Sequence, residues 1–173
     1  MSWRSAAVVL GALLLCGCQT TQRNGLDYAA MTLKVGPPKA GHARLVMLRE
    51  QSISIVDADF RFELDGTPVP GLKNGTFVCA DRPAGQHRLT ASEPGFPGVT
   101  EIDISVQSGR TYFYVVRFSD RKNTYIATAS QGLLGLALTT VITAAYKNPG
   151  PLDFVPLDEA AARTTIAQLR LGE

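Results

Sequence analysis

The chain has 173 residues, of which 45% are hydrophobic and 18% are charged, and its formal net charge at pH 7 is +2. This balance is typical of a packed globular protein and excludes a disordered, highly charged chain. The lysines and arginines form no cluster along the sequence, so we expect no nucleic-acid-binding surface.

The first residues have the pattern of a secretory leader. Arg4 precedes an apolar run over residues 6–15. A helix that spans a bilayer needs about 20 apolar residues, and this run has about half of that length. Residues 1–17 are therefore interpreted as a cleaved signal peptide and not as a permanent membrane span.

The end of the leader resembles the lipobox of bacterial lipoproteins. Leu15 lies three residues before Cys18, and Gly17 immediately precedes it. The resemblance implies cleavage before Cys18 and a covalent lipid on this cysteine, and two acyl chains give stable anchoring. Gln19 stands where an aspartate favours the inner membrane, so the resemblance implies an outer-membrane anchor facing the periplasm, with the inner membrane or cell surface as alternatives. The other interpretation is an ordinary secreted protein cut near Cys16.

Residues 18–42 are rich in Thr, Gln, Gly and Pro and include Gly36-Pro37-Pro38. This composition predicts a flexible tether between the lipidated cysteine and the folded part. Within the tether, residues 28–35 are mildly apolar and compatible with a short edge strand.

Residues 43–129 have the pattern of an antiparallel β-domain. The segment 60–64 alternates apolar and polar residues, and Asp65-Gly66 follows it as a hairpin turn. The other predicted strands are 44–49, 67–70 (an edge strand because of its prolines), 76–80, 86–91, 99–106, 111–118 and, as a further candidate, 125–129. Short strands separated by frequent turns predict a mainly β fold, a small antiparallel β-sandwich with one or two C-terminal helices.

Residues 132–146 contain no charged residue and predict a helix, although the β-branched run over residues 139–143 would also suit a strand. Leu134, Leu138, Val141 and Ile142 fall on one of its faces, which is the candidate interaction surface. The segment is too short to span a bilayer. Two interpretations stay open: a helix packed on the sheet, or a surface that meets the membrane or another protein.

A second helix is predicted after Asp158, which is placed as its N-cap, with Glu159 favourable to the helix dipole. Its buried stripe is expected to be Ala162, Ile166 and Leu169. Residues 130–173 are thus expected to form an apolar helical segment and a C-terminal helix packed on the domain.

The β region resembles a family of bacterial envelope proteins known as domain of unknown function 2846. The matching motifs are Ala43-Arg44-Leu45, Leu64-Asp65-Gly66, Gly71-Leu72-Lys73-Asn74-Gly75-Thr76-Phe77, Pro83-Ala84-Gly85-Gln86-His87-Arg88-Leu89 and Gly109-Arg110-Thr111-Tyr112-Phe113. The resemblance covers about residues 43–118 and implies a prealbumin-like β-sandwich in the cell envelope. It implies no activity.

The residues capable of chemistry are few. His87 follows the turn that ends at Gly85, and we expect it to bond a backbone carbonyl across a hairpin. Cys79 lies in an apolar stretch and is expected to be a buried, inert thiol. A pairing of Cys79 with His87 as nucleophile and base, and a calcium site at Asp57, Asp59 and Asp65, are weaker alternatives. We expect no enzyme, no metal and no cofactor apart from the lipid on Cys18.

Two functions follow from the sequence. The first is a non-enzymatic lipoprotein, held at the membrane by its lipid, which contacts an envelope protein through an edge strand or the 132–146 helix. The second is a binding module for a small envelope ligand such as a glycan or a lipid, which a deep apolar pocket beside residues 132–146 would support.

Overall fold

The computed structural model describes residues 25–51, 59–129 and 131–172. This part of the chain forms nine strands and four α-helices, and the strands make two stacked sheets. The predicted mainly β fold, a small sandwich accompanied by C-terminal helices, is therefore confirmed.

Sheet A contains β1 (His42–Arg49), β4 (Thr76–Pro83), β7 (Thr111–Phe118), β8 (Leu152–Leu157) and β9 (Arg170–Leu171). Their order across the sheet is β8-β7-β1-β4-β9. Sheet B contains β2 (Arg61–Leu64), β3 (Thr67–Pro68), β5 (Gly85–Ser92) and β6 (Thr100–Val106), in the order β3-β2-β5-β6. The helices are α1 (Tyr28–Val35), α2 (Asp120–Ala129), α3 (Gly132–Ile142) and α4 (Glu159–Ile166), and a 3-10 turn, Thr143–Ala145, follows α3.

Sheet A is the middle of three layers. Leu45 of β1 faces sheet B and clusters with Leu64 and Leu89, whereas Val46 faces the opposite side and clusters with Met31 of α1 and Ile166 of α4. Both faces of β1 are therefore covered, which explains its unbroken apolar run.

The pairing differs from a purely antiparallel sandwich in two places. β1 and β7 are parallel, and so are β4 and β9. The turn at Pro83-Ala84-Gly85, expected to close a hairpin, is a corner at which the chain leaves sheet A for sheet B. β5 and β6 both lie in sheet B. The chain then returns to sheet A as β7, which runs parallel to β1.

The segment expected to be a tether contains a docked helix. Residues 28–35 form α1 instead of an edge strand. Asp27 caps the helix by accepting a hydrogen bond from the Ala30 N–H at 2.7 Å, and Met31 is buried against sheet A with 1% exposure. Gly36, with φ of 74°, ends it. Residues 26–36, which were expected to belong to a flexible tether over residues 18–42, are therefore folded.

Residues 120–129 form α2, so the candidate strand at 125–129 is also wrong. The Ser119 hydroxyl accepts a hydrogen bond from the Lys122 N–H at 3.1 Å and caps the helix. Tyr125 and Ile126 have the propensity of a strand, but the local cap and the packing of α2 on α3 outweigh it.

The C-terminal part contributes to the sheet as well as to the helices. Residues 152–157 form β8, which pairs with β7, and Arg170 begins β9 beside β4. Asp158 caps α4 as predicted, its carboxylate accepting from the Ala161 N–H at 2.8 Å. The sandwich therefore extends beyond residue 129.

Candidate functional site

The aliphatic face of α3 is exposed. Leu134 is 79% exposed, Leu138 54% and Val141 75%. Ile142 belongs to the same face, and Leu133, which the sequence analysis did not single out, is 86% exposed. Such side chains usually lie inside a protein, and a contiguous exposed group of them indicates a contact surface.

The opposite face of α3 makes the packing contact. Gly135, Thr139 and Thr143 are buried, four residues apart. The hydroxyls of Thr139 and Thr143 donate to the carbonyls of Gly135 and Thr139, each at 2.7 Å. The polar atoms on this face are therefore satisfied within the helix.

Helix α3 lies on α2 at very short range. A Cβ atom built on Gly135 would overlap the carbonyl oxygen of Thr128. The hydroxyls of Thr128 and Thr139 contact each other, and the Tyr146 hydroxyl lies 3.0 Å from that of Thr124. Small residues at four-residue spacing allow this approach, as they do between membrane helices. α3 therefore packs on α2 through its small residues and leaves its leucines exposed, which differs from the expected helix packed on the sheet.

The α2–α3 pair is fixed to one end of the sandwich. Lys122 is largely buried, and its ammonium lies 2.6 Å from the Glu93 carboxylate in the loop between β5 and β6. Arg121 contacts the carbonyl oxygens of Pro97 and Pro149. These contacts hold α2, and with it α3, beside the loops at this end.

The N-terminal segment leaves the fold at the same end of sheet A. The Leu171 N–H donates to the Leu26 carbonyl at 2.7 Å, and Gly25 lies against the same strand. In the ladder, Arg170 is beside Thr76, the first residue of β4, and Thr76 is opposite Arg49, the last residue of β1.

The C-terminal end of β7 also lies at this end of sheet A. Leu48 of β1 pairs with Val115 of the parallel β7, so the last residue of β7, Phe118, lies at the Arg49 end of β1. Because α2 begins two residues after Phe118, the exit of the N-terminal segment and the α2–α3 pair share one end of the sheet.

The Asp65-Gly66 turn lies at the other end of the molecule and holds His87. Asp65 and Gly66 both have positive φ, 54° and 71°, as a tight hairpin requires. His87 contacts a carboxylate oxygen of Asp65 through Nδ1 at 2.7 Å and the carbonyl of Pro83 through Nε2 at 2.8 Å. Both partners are acceptors, so both contacts are hydrogen bonds when the imidazole carries two protons.

The pKa of Asp65 is lowered in this turn. Partial burial acts to raise it, but the Arg88 N–H at 2.9 Å and the His87 ring favour the carboxylate, and Arg82 adds to their effect at 3.8 Å. Gly85 supplies the corner with φ of 143°. These residues brace the turn, and both nitrogens of the imidazole are engaged.

Cys79 and His87 lie in different sheets and are not brought together as a nucleophile and base. Cys79 packs against the cluster between sheet A and the helices, and burial raises the pKa of its thiol to about 12. The thiol therefore stays protonated at neutral pH and is a poor nucleophile.

A buried ion pair under α1 was not anticipated from the sequence. Arg44, 3% exposed, donates to both oxygens of Asp81 at 2.8 and 2.9 Å and to the Gly36 carbonyl at 2.7 Å. It lies at the base of a cleft of about 760 Å³, whose rim includes Leu33 and Arg163. Arg44 lies on the face of β1 that α1 covers, and its partner Asp81 is 37 residues away in the chain.

Other sequence-derived candidates are not assembled into a site. Cys18 and Asp57 lie outside the described residues. Within the described ranges, no group of three or more His, Cys, Asp or Glu side chains has the geometry of a metal site. In the same ranges, every helix is too short or too polar to cross a membrane.

Comparison with protein-family models finds no match to this chain. No curated protein is significantly similar to it. The resemblance to domain of unknown function 2846 therefore depends on the short motifs given above and stays a prediction.

Proposed function

We propose that this protein is a bacterial lipoprotein, anchored in the cell envelope through a lipid on Cys18, and that it works by contact and not by catalysis. The observation that carries the proposal is the lipobox-like sequence directly before a domain that exposes an aliphatic helix face. Anchoring raises the effective concentration of that domain at the membrane surface, so even a weak contact is favoured there.

The short connection between anchor and domain supports this function. Docking of α1 leaves seven residue steps between Cys18 and Gly25, so the connection reaches at most about 25 Å even when fully extended. The domain is therefore held close to the membrane, where its exposed surface meets envelope components, an envelope protein among them.

The side chains that could take part in catalysis support a non-enzymatic function. Both ring nitrogens of His87 hold the hairpin turn, and the thiol of Cys79 stays protonated. A catalytic nucleophile or base needs a free reactive atom and a partner that activates it.

The cleft beside α1 favours a small-ligand module as the second candidate function. It is lined by Tyr28, Leu33 and Arg110 as well as by the paired Arg44 and Arg163. The guanidinium group of Arg110 suits an anionic headgroup or sugar acid, whereas those of Arg44 and Arg163 are already paired with Asp81 and Glu159. It lies away from α3, however, and so it is not the apolar pocket expected beside residues 132–146.

The anchor is tested by fractionating cells that express the wild type, Cys18→Ala or Cys16→Ala. We expect wild type and Cys16→Ala to be processed and to sediment with membranes. Cys18→Ala is expected to keep its leader and to lack acyl groups. Equal processing and acylation of all three forms would contradict the proposal.

A further inference from the structure

We propose that the exposed face of α3 docks on the surface of the phospholipid bilayer in which the protein is anchored, so that the domain has two attachments to one membrane. We call this face, formed by Leu133, Leu134, Leu138, Val141 and Ile142, the docking face. The inference rests on the proposed lipid anchor and adds the component that covers the docking face.

The first supporting feature is the position of the docking face relative to the chain that leads to Cys18. The α2–α3 pair follows the last residue of β7, and the N-terminal segment leaves beside the first residue of β4, at the same end of sheet A. β7 and β9 are three strand spacings apart, which is about 14 Å. The chain that leads to Cys18 therefore starts at the same end of sheet A as the α2–α3 pair that carries the docking face.

The second supporting feature is the short reach of that chain. Seven residue steps span at most about 25 Å. An acylated Cys18 therefore keeps the Gly25 end of the sandwich within this distance of the membrane, whereas the opposite end, with the Asp65 turn, is under no such constraint. Of the two ends, the one that carries the aliphatic side chains is the one brought to the lipid.

The chemistry of the docking face fits hydrocarbon better than a protein partner. Its five members are aliphatic, and residues 132–146 contain no charge. Protein interfaces are typically enriched in aromatic and arginine side chains and have a polar rim. Here the hydroxyls of Thr139 and Thr143 point away from the docking face and are bonded within the helix.

The length of α3 sets the mode of contact. Eleven helical residues extend about 16 Å, about half of the hydrocarbon thickness, so α3 does not cross the bilayer. Tyr146 and Lys147 follow the helix and are exposed. Aromatic and cationic side chains are common at the lipid–water boundary. The helix therefore lies in the membrane plane, with its aliphatic side chains about 5–10 Å below the headgroups.

The test uses the full chain, purified in its acylated form and incorporated in vesicles of phosphatidylethanolamine and phosphatidylglycerol that contain a spin-labelled lipid. A fluorophore is attached at Leu138→Cys or Val141→Cys on the docking face, or at Leu33→Cys as the matched control. Leu33 is also a helical leucine, 88% exposed, but it lies by the cleft at the other end of sheet A. The unsubstituted chain, treated identically, corrects for labelling of Cys79.

We expect the spin label to quench the probes at 138 and 141 several-fold more than the probe at 33, with shallow labels more effective than deep ones. Absence of quenching at 138 and 141, or equal quenching at all three positions, would overturn the inference. Efficient crosslinking between two copies at position 138 would also overturn it, in favour of a second copy as the occupant.

Failure of the anchor is recognised separately, by the mass of the same sample. If no acyl groups are found, the proposed lipoprotein is wrong. Quenching measured after vesicles are added to the labelled chain still tests the docking. Quenching at position 138 in a chain without acyl groups would support the docking but not the anchor. Acylation without quenching would support the anchor and contradict the docking.

Discussion

The carbonyl oxygen of Thr128 lies so close to Gly135 that a Cβ atom built on this glycine would overlap it. This relationship sets the distance between α2 and α3 and determines which face of α3 is buried. With the small residues turned inward, the aliphatic residues are left outside. The exposed surface is therefore a consequence of close packing on the other side of the same helix.

Gly135→Ala is expected to destabilise the protein. In an exposed helix interior this change is stabilising by about 1 kcal/mol. Here the overlap with Thr128 forces α2 and α3 apart, and overpacking typically costs about 1–3 kcal/mol, so the net free energy of unfolding should fall. Urea unfolding measures it, with Ala137→Val on the exposed side of α3 as control. A Gly135→Ala variant more stable than the wild type would show that the close contact does not exist.

Removal of the carboxylate at Asp81 should be strongly destabilising, because it leaves the guanidinium of Arg44 buried without its charge partner. We expect Asp81→Ala to lower the free energy of unfolding by about 3 kcal/mol. Arg163→Ala is the matched control, since it breaks an ion pair with Glu159 whose two side chains are 63% and 65% exposed. Similar unfolding midpoints for the two variants would contradict the buried pair.

The Asp65–His87 contact should make stability depend on pH in the acid range. Because the pKa of Asp65 is lower in the folded chain than its ordinary 3.8, its contribution to the free energy of unfolding is complete above that value. The contribution is lost as the pH falls through the lowered pKa. Asp65→Asn, which also tolerates positive φ, should flatten this acid decline.

A double-mutant cycle with Asp65→Asn and His87→Gln measures the coupling between the two side chains at pH 6. Since the Asp65 side chain is 39% exposed, we expect a coupling of about 0.2–1 kcal/mol. Strictly additive effects of the two substitutions on the free energy of unfolding would show that His87 does not stabilise the turn through Asp65.

Cys79 should resist modification as long as the protein is folded. A thiol pKa of about 12 in place of 9.0 leaves roughly a thousandth of the usual thiolate at pH 8. A maleimide should therefore label Cys79 slowly in buffer and rapidly in denaturant, whereas the exposed Leu138→Cys thiol should react rapidly in both. Fast labelling of Cys79 in buffer would show that it is reactive.

The sandwich could be predicted from the sequence because its signals are local. The alternation over residues 60–64 and the Asp65-Gly66 turn specify a hairpin, and the structure contains it. Residues 111–118, predicted as a strand, form β7, which lies between β8 and β1 in sheet A. Asp158 and the stripe of Ala162, Ile166 and Leu169 likewise predicted α4 and its buried face.

The surface features could not be predicted because they depend on partners distant in the chain. The sequence grouped Leu134 and Leu138 on one face of α3, but the burial of the other face depends on the fit of Gly135 to Thr128. α1 was hidden by the Pro and Gly residues around it, although Asp27 and the apolar Met31 are its cap and its anchor. The sheet pairing that places Gly25 at the same end of sheet A as α2 is a long-range property.

The most direct test of the lipoprotein account is mass spectrometry of the N-terminal peptide of the protein isolated from membranes. The account predicts a chain that begins at Cys18, with a diacylglyceryl group on its sulfur. A mature chain that begins elsewhere, or an unmodified Cys18, would contradict it.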